Sequence, residues 1–332
     1  MSNFNDIYGQ DQIKNHLQNA IETGMVSHAY IITGEKYSGK EFIAGVFAQA
    51  LLCEAEENKP CGKCHSCSQA MSNNNPDIVT VTHEKPNVIG VDEIREQVNE
   101  DILIKPYGGR RKVYIIPEAE KMNQQAQNAL LKTFEEPPEY AVILLLVTNS
   151  EELLPTIRSR AVEMNMKPVA DSVVKDFLVK VGNVAPNRLD ICVAFARGNL
   201  GKALMFAQNE EFDSIRENAI KLLKYAGDMD VAELIASAKN LSESQMDIND
   251  FLDICMVWYR DILLFKATND ANDLIFKEEI QYIRKVAQIL SYSDINEILE
   301  AFEKAKGRLA ANVNFELTME LLFITIQEKQ ND

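Results

Sequence analysis

The segment 112–138, KVYIIPEAEKMNQQAQNALLKTFEEPP, limits what this chain can fold into more than any other stretch. Val113, Ile115 and Ile116 make a short β-branched apolar run, the composition of a strand buried on both faces. Glu118 and Glu120 follow where that strand should end. Met122, Ala126, Ala129, Leu130 and Phe134 then recur at three- and four-residue spacing, which predicts an amphipathic helix. Pro137 and Pro138 stop it, because proline lacks the amide that another turn would need. Residues 141–147, AVILLLV, form a second buried-strand run, tipped by Thr148 and Asn149.

Upstream lies a matching half. Residues 28–33, HAYIIT, predict a first strand, and a helix is predicted over 41–52 with Phe42, Val46, Phe47 and Leu51 on its apolar side. Between them, Gly34-Glu-Lys-Tyr-Ser38-Gly39-Lys40 fits G-x-x-x-x-G-K. In that motif backbone amides nest around phosphate, a lysine meets the outer phosphates, and the next residue offers a hydroxyl to Mg²⁺. Gly34, Ser38, Gly39 and Lys40 are therefore candidate phosphate-loop residues, but Glu41 puts a carboxylate where the hydroxyl belongs.

Other elements complete the pattern. Residues 5–24 predict an amphipathic helix through Ile7, Ile13, Leu17 and Ile21; 76–83 a strand; and 89–97 the start of a helix capped by Asp92. Val162, Met164 and Met166 alternate with polar residues, as on a half-buried edge strand. Strands alternating with helices predict a mainly parallel sheet covered on both faces. Beyond residue 169 only helical patterns occur, at 212–225, 231–240, 248–268, 277–291, 294–308 and 315–329. The expected organisation is an α/β P-loop NTPase domain over 1–167, a small all-α lid over 168–208, and an all-α helical domain over 209–332.

Cys53, Cys61, Cys64 and Cys67 are spaced C-x7-C-x2-C-x2-C within an insertion at 53–67. Two-residue gaps let neighbouring thiolates converge on one ion, and four complete the tetrahedral shell of a structural Zn²⁺. His65 lies between ligands as a bystander, while Cys192 and Cys255 fall on apolar helical faces as core residues. The charge balance is 50 acidic to 34 basic residues, net −16, which argues against binding DNA through an overall positive field. Lys105, Arg110, Arg111 and Lys112 make one local basic turn; solvated charge is its plain reading and a DNA-facing surface the alternative. No apolar leader region and no run long enough to span a bilayer are read, so a cytoplasmic location without a membrane partner is expected.

LLKTFEEPP at 130–138, the four cysteines, Ser159-Arg160 and NVNFEL at 312–317 together resemble the clamp-loader branch of the AAA+ family, over essentially the whole chain. The resemblance implies an AAA+ core, lid and helical collar in one subunit of a pentameric ring. Its partners would be motor subunits and a delta subunit, with the sliding clamp and primed DNA reached through the complex. In active relatives the strand ends in Asp-Glu and the Asp holds Mg²⁺; here that position is Pro117. Their lid arginine, in Gly-Ser-x-Arg-x-Ala, is replaced by Gly201 in Gly198-Asn-Leu-Gly201-Lys-Ala203. Metal and cationic clamps carry most of the barrier lowering in phosphoryl transfer. ATP/Mg²⁺ binding and hydrolysis in cis are therefore not expected, nor is a small-molecule substrate of the chain's own. Ser159-Arg160 matches the family's Ser-Arg-Cys, so Arg160 is implied as an arginine finger acting in trans, against the plainer reading of an edge ion pair. Arg95 resembles positions facing DNA, and Thr148-Asn149 a sensor at a strand tip. The alternatives are an active motor ATPase and a zinc-bearing replication or repair adaptor.

Overall fold

Five short runs of the first half pair side by side in parallel in the computed structural model, which describes residues 3–331 except 109, 210–211, 226–228 and 245–247. They are β1 (Ala29–Thr33), β2 (Ile78–Thr80), β3 (Lys112–Ile116), β4 (Ala141–Val147) and β5 (Val162–Asn165), in the order β2-β3-β4-β1-β5. β4 and β1 sit inside the sheet and are the most apolar, as a strand buried on both faces must be. Register is fixed by pairs such as Ala29 with Ile143 and Lys112 with Ala141. Alternate residues of β4 feed two cores. Ile143, Leu145 and Val147 join Leu130 and Phe134 on one face, and Val142, Leu144 and Leu146 join Phe47 and Leu17 on the other.

The helices among and beside the strands are α1 (Asp11–Thr23), α2 (Lys40–Leu52), α3 (His65–Met71), α4 (Val91–Ile94), α5 (Gln124–Glu135) and α6 (Pro155–Arg158). Asn123 caps α5 by accepting from the Ala126 amide, and the helix stops just before the two prolines. The first helix starts at Asp11 rather than at residue 5, because Gly9 has φ +66 and a Cβ there would lie 2.4 Å from Val169 Cγ1. Gln10 fastens that start, donating to the Lys167 carbonyl at 2.6 Å and accepting from its amide at 3.2 Å. Asp92 does not cap: Gly90 holds the cap position, Asp92 lies in the first turn, and the helix widens into a π-turn over Arg95–Glu100. Phe42 points outward at 40% exposure, so the buried side of α2 is carried by Ile43, Val46 and Phe47.

The basic turn loses one of its four members. Lys112 is 1% exposed, and its ammonium lies 2.7 Å from Asp101 Oδ2, which also accepts from the Tyr114 hydroxyl at 2.8 Å. Asp77, also buried, accepts the amides of Tyr107 and Gly108 at 2.8 and 3.0 Å. Two carboxylates thus fix the ends of the segment that displays Leu103, Ile104 and Tyr107 to solvent. Replacing Asp101 by alanine leaves the Lys112 charge buried without a counter-ion, beside the residue 101 carbonyl and the Tyr114 ring. Such an orphaned ion costs about 3 kcal/mol, which urea denaturation of D101A will show as a lower midpoint.

The chain divides into two compact units, one holding the residues up to Phe177 with Gly198–Lys202, the other Leu178–Arg197 with the residues from Ala203 onward. The second unit has helices and no strand among its described residues, with Phe212–Tyr225, Val231–Ser244, Ile248–Thr268, Tyr292–Ala310 and Phe315–Asn331 as its long elements. Its core gathers Phe195, Phe206, Phe212, Trp258 and Phe276. Cys192 and Cys255 are buried there as core residues. Leu317 and Leu321 are instead 51% and 42% exposed, forming with Ile324 an outward stripe on the last helix. No helix among the described residues is long and apolar enough to cross a membrane.

Candidate functional site

The loop between β1 and α2 has the shape of a phosphate loop. Gly39 takes φ +93 at the helix start, a conformation open to glycine, and Gly34 follows the strand with its amide on the Val147 carbonyl at 3.0 Å. Ser38 turns its hydroxyl to Met166 Sδ at 3.6 Å. Lys40 folds back: its ammonium donates to the carbonyls of Gly34 and, at 2.8 Å, Glu35. Burial holds Lys40 below the usual lysine range, with Glu120, Glu41, Glu118 and Glu35 pulling the other way. Glu41 is exposed in the first turn of α2, where it adds negative charge to the end of the helix that would face phosphate.

The strand tips beside this loop carry two glutamates, Glu118 and Glu120, in place of the acid that would follow Ile116. β3 runs into Pro117, and Glu118, at φ +48, is tied to Lys121 at 2.6 Å. Glu120 accepts from the Thr148 hydroxyl at 2.8 Å and its amide at 3.2 Å, so the two polar tips are bonded to each other. The segment Gly198–Lys202 reaches the same loop. The Gly201 amide donates to the Tyr37 carbonyl at 3.1 Å, and Asn199 Nδ2 to the Lys36 carbonyl at 2.9 Å.

Next to α2, the four cysteines converge. Their sulfur atoms all lie within 4.8 Å of one another, Cys53 and Cys67 buried, Cys61 and Cys64 half-buried. Gly62, at φ +68, makes the turn that brings the first pair round. The Cys61 amide donates to Cys53 Sγ, those of Lys63 and Cys64 to Cys61 Sγ, and that of Cys67 to Cys64 Sγ, at 3.3–3.5 Å. The Lys63 and Cys64 amides pull Cys61 down to about 6, whereas burial pushes Cys67 up to about 12. A cation at the centre of the four sulfurs answers both demands, holding thiolates that burial alone would keep protonated. The cluster therefore fits a metal ion held by four sulfurs. His65 is exposed and outside it.

Arg160 lies beyond α6, 39% exposed, its guanidinium 3.3 Å from Glu135 and 3.0 Å from the Thr156 carbonyl. Arg158 pairs with Glu163 at 3.8 Å. Arg95 lines an open groove of about 570 Å³ between the π-turn and α5, with Asn99, Gln125, Asn128 and Lys132. Sequence reasoning did not find Lys132 or the amide side chains of this groove. Their spacing along α5 was a usable signal, since 125, 128 and 132 share one helical face.

The chain is 30% identical over 328 residues to DNA polymerase III subunit delta' of Bacillus subtilis, covering 96% of each protein. It belongs to the DNA polymerase III delta-prime family. Two family descriptions fit the two halves: DNA polymerase III, delta subunit, over residues 9–170, and DNA polymerase III, delta subunit, C terminal, over 210–328. DNA polymerase III subunit tau of the same organism is 28% identical and covers 91% of this chain, which spans 57% of tau. Among solved structures, a DNA polymerase III gamma subunit-related protein from Thermotoga maritima aligns at 19% identity and TM-score 0.44, covering 95% of this chain and 99% of that one. Delta-prime membership agrees with a P-loop fold of the clamp-loader kind, a parallel five-stranded sheet with helical regions after it.

Proposed function

We propose that this chain is the non-hydrolysing delta-prime subunit of a bacterial clamp loader, cytoplasmic, with Arg160 serving a neighbouring subunit's ATPase. One observation carries the reading: a phosphate loop that lacks its Mg²⁺ hydroxyl and acid lies in the same unit as an exposed arginine whose side-chain partners, among the described residues, are Glu135, Thr156 and Ser159. The organisation in three parts, core, lid over 168–208 and collar from 209, is part of the same proposal. Zn²⁺ is the ion we assign to Cys53, Cys61, Cys64 and Cys67, because an all-sulfur tetrahedral set with no open position suits a structural zinc. Partners would be motor subunits of the tau type and a delta subunit in a pentameric ring. The exposed Leu317–Leu321–Ile324 stripe offers apolar surface for ring contacts. Arg95 and Lys132 offer two cations to the phosphates of primed DNA running past the groove.

The test of the cis half is thermal melting of the purified chain with millimolar Mg-ATP. Ligand at about 100 times its Kd stabilises by about 2.7 kcal/mol, several degrees for a domain of this size. The expected shift is below about 1 °C; a rise of several degrees would favour the active-motor reading instead.

A further inference from the structure

Asn199 is only 6% exposed, and both ends of its amide are engaged. Nδ2 donates to the Lys36 carbonyl at 2.9 Å while Oδ1 accepts the Lys202 amide at 3.1 Å. Gly201 then brings backbone directly against backbone, donating its amide to the Tyr37 carbonyl at 3.1 Å. A Cβ at residue 201 would sit 2.2 Å from that oxygen, so only glycine allows the approach. The loop is shaped to meet it. Tyr37 adopts φ +65, a left-handed conformation uncommon outside glycine, and its carbonyl and that of Lys36 both face the incoming segment as acceptors. With Lys40 bonded to Gly34 and Glu35, the loop's cation is also turned inward.

We infer that Asn199–Gly201 is a built-in clasp, which holds the phosphate loop closed from within the chain where a working loop opens and closes with its nucleotide. The clasp rests on contacts inside the first unit and does not depend on the trans role of Arg160, so either can fail alone. The segment Gly198–Lys202 that carries the clasp is flanked in the chain by Arg197 and Ala203, which belong to the second unit.

Amide hydrogen exchange of the full chain reads the clasp directly. Gly201 is in the first turn of the helix Leu200–Gln208, where amides have no intrahelical acceptor. Protection of its amide in nucleotide-free protein therefore reports the Tyr37 carbonyl. The expected result is exchange slowed more than about tenfold below the unstructured rate; exchange within that limit overturns the inference. Asn199→Leu keeps the size of the side chain and removes its hydrogen bonds. In this variant, exchange at residues 36–40 and 201 should speed up about tenfold while the thermal transition remains cooperative. Unchanged exchange in the folded variant also overturns the clasp. Adding Mg-ATP to the wild type should leave the exchange of 34–40 as it was; slowing there would mean a loop still open to nucleotide. The trans role is read separately, by the partner's ATP turnover.

Discussion

Arg160→Ala is expected to cut the ATP turnover of the reconstituted clamp-loader complex by about 10³-fold at the site this subunit borders, the lower end of what an arginine finger is worth. The subunit itself should fold and assemble as before. Arg160 is 39% exposed and its pairing with Glu135 spans 3.3 Å, a surface ion pair worth under about 1 kcal/mol. In the proposed role, the substitution removes a planar fork of donors that would meet charge developing on a transferred phosphoryl group. Arg160→Lys should therefore rescue little, since a lysine offers a point charge without the fork. Turnover is best read in single-turnover mode beside a measurement of complex assembly. Unchanged turnover with intact assembly would assign Arg160 to the edge ion pair alone.

Cys67→Ser is the second large effect. Cys67 is buried, with its sulfur among three others, and a hydroxyl in its place would leave three sulfur ligands for the zinc proposed there. The loss should be on the order of 5 kcal/mol, below the roughly 10–16 kcal/mol of isolated zinc-finger peptides because the sheet core stands without the metal. Elemental analysis should find one zinc per wild-type chain and far less in the variant, with a lower melting temperature. Protons compete with the ion for the same sulfurs, so acid should release it as well. Wild-type protein free of zinc and as stable as zinc-loaded protein would remove the metal from the account.

Much of the first unit was legible because its signals are local. β4 falls on the predicted run 141–147, and α5 ends before Pro137 and Pro138. The cysteine spacing predicted a convergence that the fold delivers. What the residues could not announce was set by distant partners. Lys112 reads as the last surface cation of the basic turn, yet it opens β3 and is buried beside Asp101. Gly9 falls within the stretch predicted as helix, and no neighbour in sequence announces that Val169 packs against it. Phe42 fits the apolar side of α2 by spacing, yet a one-position rotation leaves it in solvent and hands the core to Ile43. Leu317 and Leu321 have the spacing of packed residues but stay exposed within this chain. Gly201 was visible as a missing arginine; its backbone bond to Tyr37, 164 positions earlier in the chain, was not.

The candidate site divides along the same line. The departures at Glu41, Pro117 and Gly201 are single-residue facts that sequence alone supplies. How the loop is held in spite of them depends on Lys40 turning inward and Glu120 bonding Thr148, neither of which has a spacing signature.

ATP hydrolysis by the purified chain, alone and then mixed with its motor subunit, tests the central claim most directly. The expected result is no Mg-dependent turnover from the chain by itself and a clear rise in the motor subunit's turnover on mixing. Turnover by the isolated chain near the 1–100 s⁻¹ typical of many phosphoryl-transfer enzymes, or a motor whose rate ignores its presence, would contradict it.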